Sequence, residues 1–187
     1  MAVFRRAHRR REPQPRSADL AVAMEVADRF DAAWGTQRPL DSHPNTTLTV
    51  PDCNAGPSIR ELCGAVLARV TERRLLLVTE SWSRSRPDRP TRFLTQARWR
   101  VCEAWGGPER DYRISTLYVS WVHLGGSDLE RVLDLAVDDS IAVHLIPEHV
   151  RWLVTPHFDR IEVTALTVDH ITRFEHAAVA EGGSYSR

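Results

Sequence analysis

The chain contains no lysine: all 25 of its basic residues are arginine, and 25 acidic residues cancel their charge. A net charge of zero excludes a protein that coats nucleic acid through bulk positive charge. The absence of lysine indicates the codon bias of a GC-rich genome, although the planar guanidinium also suits carboxylate and phosphate ligands better than an ammonium does.

Cysteine is scarce as well, with only Cys53, Cys63 and Cys102 and no CxxC pair. An odd number without paired spacing predicts neither a disulfide framework nor a zinc knuckle. Cys63 lies on an apolar helical stripe, which predicts a buried thiol. No apolar run approaches the roughly 20 residues that cross a bilayer, and the arginine-rich start lacks the apolar stretch of a secretory signal. We therefore expect a cytoplasmic protein that does not bind a membrane.

The composition is that of one globular domain. The 187 residues are 42% apolar and 27% charged, which is enough apolar material for a sizeable core. Residues 1–18 carry six arginines, one glutamate and few apolar side chains, which predicts a disordered arginine-rich arm. We expect a single domain over residues 19–181 and a flexible tail over residues 182–187.

The apolar residues follow the spacing of a helix in some segments and that of a strand in others. Helical spacing and end signals predict four helices, near residues 17–35, 58–74, 125–139 and 169–183. Ser58 with Glu61 and Ser127 with Glu130 have the spacing of capping boxes, and Asp169 is a candidate N-cap. An apolar run at residues 74–83 and two alternating stretches that follow it predict an antiparallel meander. Of three later stretches, two predict strands, and residues 150–155 predict a further strand or a short helix. The predicted fold class is α+β, with a mainly antiparallel sheet packed by three to four helices.

Residues 144–159 concentrate His144, His149 and His157. A zinc site requires three or four ligands within about 2 Å of one point. Pro147 separates the first two histidines, and the string matches neither HExxH nor HxxEH. We therefore expect separate loop and strand-edge histidines and no metal site.

Two arginine-rich segments are the candidate binding sites: the arm and residues 83–100, in which Trp99 lies between two arginines. Arginines can engage an acidic protein surface, and with an interleaved aromatic they can hold single-stranded nucleic acid by phosphate contact and base stacking. The same residues can also form a solvated turn and the outer face of a strand. The candidate residues are Arg5, Arg6, Arg9, Arg10, Arg11, Arg84, Arg86, Arg89 and Trp99.

Residues 117–136 run from a predicted strand through Gly125 and Gly126 into a helix. This segment resembles the coenzyme-binding segment of the acetyl-CoA-dependent N-acyltransferase superfamily, in which amides at a helix N-terminus hold the pyrophosphate. The resemblance implies acetyl-CoA bound at these two glycines. Neither register of the glycines reproduces the complete family motif, and Asp128 would repel a phosphate.

The order of elements is also similar to small α+β secretion-chaperone-like folds that bind another protein, a likeness of topology alone. We predict a non-catalytic cytoplasmic protein-binding module without a cofactor: an adaptor, chaperone-like or immunity-type protein with a basic arm for an acidic partner. A degenerate N-acyltransferase-like domain and a nucleic-acid-binding accessory protein are the alternatives. Six tryptophans and an edge strand leave homodimerisation open.

Overall fold

The computed structural model describes residues 18–34, 43–51, 56–70, 73–81, 86–105 and 112–187. The predicted arm lies outside this part of the chain apart from its last residue. The helices are α1 (Ala18–Trp34), α2 (Ile59–Val70), α3 (Ser127–Val137) and α4 (Val168–Ala180), and a short 3-10 turn spans Arg89–Thr91. The strands are β1 (Asn45–Thr49), β2 (Arg74–Ser81), β3 (Ala97–Trp105), β4 (Tyr112–His123), β5 (Val143–Pro147), β6 (Trp152–Pro156), β7 (Ile161–Ala165) and β8 (Ser184–Ser186).

The described strands form one sheet in the order β3-β4-β2-β5-β6-β7-β1-β8. Every neighbouring pair is antiparallel. The predicted α+β class, with a mainly antiparallel sheet and four helices, is confirmed. None of the helices in the described ranges is long and apolar enough to span a membrane.

The three strands predicted as a meander are neighbours in space, but their order is β3-β4-β2. Strand β4 returns between the other two and pairs with β2 along all of Arg74–Ser81. On its other side β2 pairs with β5. Strand β2 occupies the interior of the sheet because residues 75–78 are all buried apolar side chains, which need cover on both faces. The later strands β5, β6 and β7 do follow one another as a meander.

The helices divide between the two faces of the sheet. Helices α2, α3 and α4 cover one face, where Leu62, Leu133 and Phe174 belong to the larger apolar core. Helix α1 covers the other face over β3, β4 and β2, where Phe30 packs in a second core. Cys63 is 1% exposed in the larger core, as predicted, and burial raises its pKa to about 12. The thiol is therefore protonated and unreactive at neutral pH.

Helix α2 begins with the predicted capping box. The Ser58 backbone N–H and hydroxyl each donate to a Glu61 carboxylate oxygen at 2.8 Å, and the Glu61 N–H donates to the Ser58 hydroxyl at 3.2 Å. The hydrogen bonds from Ser58, above all the one from its backbone, lower the pKa of Glu61. Two amides at the start of the helix are satisfied in this way.

The starts of α3 and α4 differ from the predictions. Gly126 is the N-cap of α3, and Ser127 is its first helical residue and makes no capping hydrogen bond. Thr167 is the N-cap of α4, so Asp169 lies inside the first turn. The capping predictions for Ser127 and Asp169 are wrong. For α3 the reason is a tight turn, in which the Gly126 N–H donates to the His123 carbonyl at 3.0 Å. The helix therefore begins one residue before the predicted position.

Residues 182–187, predicted as a flexible tail, instead include a strand. Gly182 has a φ of +80°, which favours glycine. The N–H groups of Gly182 and Gly183 donate to the carbonyls of Val179 and Ala178 at 3.1 and 2.8 Å, and this Schellman motif ends α4. The chain then reverses, and β8 pairs with β1 at the edge of the sheet. The prediction of a flexible tail is corrected, because these residues pair with β1 through their backbone. Backbone pairing leaves no apolar pattern in the sequence.

An ion pair joins a buried carboxylate of α4 to the exposed side chain of residue 187. Glu175 is only 2% exposed, and Arg187 donates to both of its carboxylate oxygens, at 2.7 and 2.6 Å. The hydrogen bonds from Arg187 are the main reason that the pKa of Glu175 is lowered, with a smaller contribution from Thr46, while burial acts in the opposite direction. The charged form of Glu175 is therefore favoured in the folded protein.

We expect Arg187→Ala to lower the Tm by about 2–4 °C at pH 7, because the variant leaves a buried carboxylate without its partner. The pKa of Glu175 is lower in the folded than in the unfolded chain. The stabilisation is therefore fully present above the ordinary value of 4.5 and is lost as the pH falls through the folded value. Thermal unfolding at pH 7 and pH 3 measures the difference between wild type and variant. A difference that does not shrink in acid would contradict the ion-pair explanation.

Candidate functional site

His144 belongs to β5 and faces a polar neighbour on β6. Its Nδ1 lies 2.9 Å from the Thr155 hydroxyl oxygen. Burial lowers the pKa of His144 to about 4, and His157 adds to this effect while Glu162 opposes it. The half-buried imidazole is therefore neutral at pH 7.

The other two histidines of this stretch lie at opposite ends of β6. The Nε2 of His157 is 3.4 Å from a Glu162 carboxylate oxygen on β7. His149 belongs to the turn between β5 and β6. Within the described ranges, no group of three or more His, Cys, Asp or Glu side chains is arranged to hold a metal ion. The structure thus keeps His149 apart from His144 and His157, and the last two lie close enough for the charge of His157 to act on His144.

We expect His144→Gln to reduce the loss of stability in acid. The ordinary pKa of 6.5 applies to the unfolded chain, and the folded value is about 4. The titration of His144 leaves the free energy of unfolding unchanged above pH 6.5 and lowers it by up to about 3 kcal/mol between pH 6.5 and 4. Below pH 4 it causes no further change. Denaturant unfolding at pH 7, 5 and 4 measures this slope. The exposed His176→Gln is the control, and an acid slope that is unchanged in His144→Gln would refute the assignment.

The arginine-rich segments predicted as binding sites are described only in part. Six of the candidate residues lie outside the described ranges: Arg5, Arg6, Arg9, Arg10, Arg11 and Arg84. Arg86 and Arg89 are exposed at the 3-10 turn. Their availability to a partner stays a prediction.

Trp99 is 8% exposed and cannot offer its ring to a base. Its indole N–H donates to Asp28 on α1 at 3.1 Å. The Arg100 guanidinium lies 3.9 Å from the centre of the Trp99 ring and pairs with Asp31 at 2.8 Å. The assignment of Trp99 to a binding surface is wrong, because the strand face that carries it packs against α1.

Gly125 and Gly126 form the turn between β4 and α3. Gly125 has a φ of +70°, a conformation that favours glycine. The Gly126 N–H already donates to the His123 carbonyl, and Asp128 and Glu130 place negative charge in the first turn of α3. These features suit a tight turn, and they give no support to a phosphate cradle at this helix.

A cleft of about 750 Å³ opens at one end of the sheet. It lies where β2 begins, where β4 ends, and where the β5–β6 turn meets the first half of α4. The lining contains one carboxylate, that of Glu148. Its cationic and imidazole side chains include Arg73, Arg74, Arg151, Arg173, His149 and His170. We call this feature the basic cleft.

One wall of the basic cleft is the turn from Pro147 to Val150. Val150 has a φ of +52°, which is rare for a β-branched residue. The Val150 N–H donates to the Pro147 carbonyl at 2.9 Å. Helix α1 holds the turn from outside, since Trp34 donates its indole N–H to the Val150 carbonyl at 2.8 Å and Arg29 donates to the Glu148 carbonyl at 3.1 Å. A strained backbone conformation persists only where the contacts around it hold it in place. The hydrogen bonds from α1 provide such contacts and make this wall rigid.

The arginines of the cleft differ in their partners. Arg74 lies 3.6 Å from the Glu148 carboxylate, and that pair is neutral. No ion pair between described residues involves Arg73, Arg151 or Arg173, and all three are exposed. The cleft therefore carries a surplus of positive charge.

His149 and His170 lie within this positive field, with ring centroids 6.4 Å apart. Burial is the first cause that lowers the pKa of His149, and Arg151 and His170 add to it. Burial also lowers the pKa of His170, and Arg151 and Arg173 add to it. The same guanidiniums act on both imidazoles, which are therefore neutral at pH 7.

Sequence reasoning missed the basic cleft. Its residues come from five separate segments between Val70 and Arg173. The sequence points to His149 as a candidate metal ligand or a separate loop histidine. The pair Arg73-Arg74, directly before the most apolar strand, is a local signal that marks this end of the sheet. No spacing along the chain links that pair to Arg151.

Comparison with known proteins finds no matching family model, no matching curated protein and no matching solved structure. Fold class alone does not specify function.

Proposed function

We propose that the protein is a non-catalytic binding module that docks an acidic segment of a partner protein in the basic cleft. Its role would be that of an adaptor, chaperone-like or immunity-type protein of the cytoplasm. The observation that carries the proposal is the set of uncompensated guanidiniums of Arg73, Arg151 and Arg173 in one open cleft. Like charges held close together repel, and an anionic partner relieves that repulsion.

The lining of the cleft favours binding over catalysis. Its one carboxylate, Glu148, is held by Arg74, and no hydroxyl or thiol side chain belongs to the lining. A guanidinium only donates hydrogen bonds and does not act as a base at neutral pH. The cleft therefore offers donors to an anion, without a hydroxyl or thiol nucleophile beside them.

The aromatic residues near the cleft favour a protein partner over single-stranded nucleic acid. No Phe, Tyr or Trp belongs to the lining. The closest rings are occupied, since Arg74 lies 4.2 Å over Trp121 and Trp152 is 1% exposed. Binding of single-stranded nucleic acid depends on bases that stack on exposed rings, and the zero net charge does not supply a broad positive field.

The arginine-rich arm, residues 1–18, fits the same proposal. Its six arginines and one glutamate would attract an acidic partner over a distance and raise the rate of association. This contribution is screened by salt, because the Debye length is only about 10 Å at 0.1 M. The cleft would then supply the specific contacts.

We expect a fluorescent decaglutamate peptide to bind the full-length protein, with an affinity that falls between 50 and 300 mM NaCl. The double variant Arg151→Glu/Arg173→Glu should lower that affinity by about tenfold or more, because it reverses two charges of the cleft. Fluorescence anisotropy measures both effects.

The double variant Arg86→Glu/Arg89→Glu is the matched control, since it reverses two exposed charges outside the cleft. An equal loss in the control would move the docking surface to the 3-10 turn, and an affinity that does not depend on salt would remove the electrostatic basis of the proposal. Displacement of the peptide by a much tighter-binding oligothymidylate would favour a nucleic-acid partner instead.

A further inference from the structure

The hydrogen-bonding groups of the basic cleft are mostly donors. The guanidiniums of Arg73, Arg151 and Arg173 accept no hydrogen bond. The Nδ1 of His149 accepts the Arg151 backbone N–H at 3.3 Å, so the proton of the neutral ring is on Nε2. His149 therefore adds a further donor. A ligand that fits such a set has several acceptor oxygens and no donor of its own.

The orientation of His170 is also fixed from outside the cleft. Its Nδ1 lies 2.6 Å from the Thr167 hydroxyl oxygen at the start of α4. His149 is held by an edge contact with Trp152, with ring centroids 6.1 Å apart and planes at 75°. Both imidazoles are thus oriented before a ligand arrives, which lowers the entropy cost of binding.

The charge of the cleft exceeds what one carboxylate can neutralise. Three guanidiniums have no ion-pair partner among described residues, and Arg151 and Arg173 act on the same two imidazoles. A carboxylate brings one negative charge and two oxygens. A phosphate monoester brings about −1.5 to −2 at pH 7 and three terminal oxygens, and its geometry matches the two-pronged guanidinium.

We infer that the basic cleft recognises a phosphate monoester carried by its protein partner, that is, a phosphorylated serine, threonine or tyrosine side chain. Arg151 and Arg173 would contact the phosphate oxygens, and His149 would donate from Nε2. This inference rests on the proposed function, because it names the group that a partner inserts in the same cleft. The rigid turn at Val150 holds Arg151 and His149 in place for that contact.

The test uses three peptides of otherwise uncharged sequence that carry phosphoserine, glutamate or serine at one central position. They are titrated into the full-length protein at constant ionic strength, and backbone and histidine NMR signals are followed. We expect the phosphoserine peptide to bind at least about tenfold more tightly than the glutamate peptide, with the largest shifts at His149 and His170. Binding should also lower the second pKa of the phosphoserine, as measured by ³¹P NMR, since the dianion is preferred.

Arg151→Gln and Arg173→Gln are each expected to remove most of the preference for phosphoserine over glutamate. Arg131→Gln, at an exposed arginine of α3 outside the cleft and outside both arginine-rich segments, should leave the preference unchanged. Thermal unfolding of each variant separates a binding effect from a folding defect. Equal affinity for the phosphoserine and glutamate peptides would overturn the inference, and so would stronger binding of a thymidine dinucleotide, whose phosphate is a diester with one charge.

The outcomes separate this inference from the proposal on which it rests. If decaglutamate binds at the cleft but the phosphoserine peptide shows no preference, the phosphate assignment fails and the docking of an acidic partner stands. If neither peptide binds, both fail. A phosphoserine preference that is lost in Arg151→Gln and kept in Arg131→Gln supports both.

Discussion

Strand β2 must be covered on both faces, because residues 75–79 are all buried and their side chains alternate between the two faces of the sheet. Pairing with β4 and β5 satisfies its backbone, α1 covers one face, and α2 to α4 cover the other. This arrangement also determines where the basic cleft lies. Arg73 and Arg74 stand at the start of β2, so they are held beside the end of β4 and the turn that follows β5.

Helix α1 connects the core to the cleft. Its apolar side packs on the sheet, and polar contacts at its margin determine how it lies there: Asp28 accepts the indole N–H of Trp99, and Asp31 pairs with Arg100. At the end of the helix, Trp34 donates to the carbonyl of Val150. A helix whose position is determined by the core thus holds the strained turn that shapes the cleft, which gives the site a rigidity that an exposed loop would lack.

The charges of the protein are separated in space although their sum is zero. Burial keeps the Cys63 thiol and the half-buried His144 imidazole neutral, since it raises the pKa of the first and lowers that of the second. On the surface, Arg60 pairs with Asp134 at 2.7 Å and so compensates part of the acidic side of α3. The cleft retains cations without such partners. Net charge therefore describes the solubility of this protein better than its binding chemistry.

The sequence by itself determined the elements that depend on neighbours in the chain. Helix α2 was predicted because the capping box of Ser58 and Glu61 and a continuous apolar stripe are local signals, and the α+β class followed from the order of such elements. The alternation of apolar and polar residues in β3 does not show which face of the strand meets solvent. Trp99 was therefore predicted on a binding surface, whereas α1 covers it in the structure. The basic cleft was decided only by the tertiary structure, because Arg73, Arg151 and Arg173 approach one another through strand pairing and helix packing, and no spacing along the chain encodes that approach.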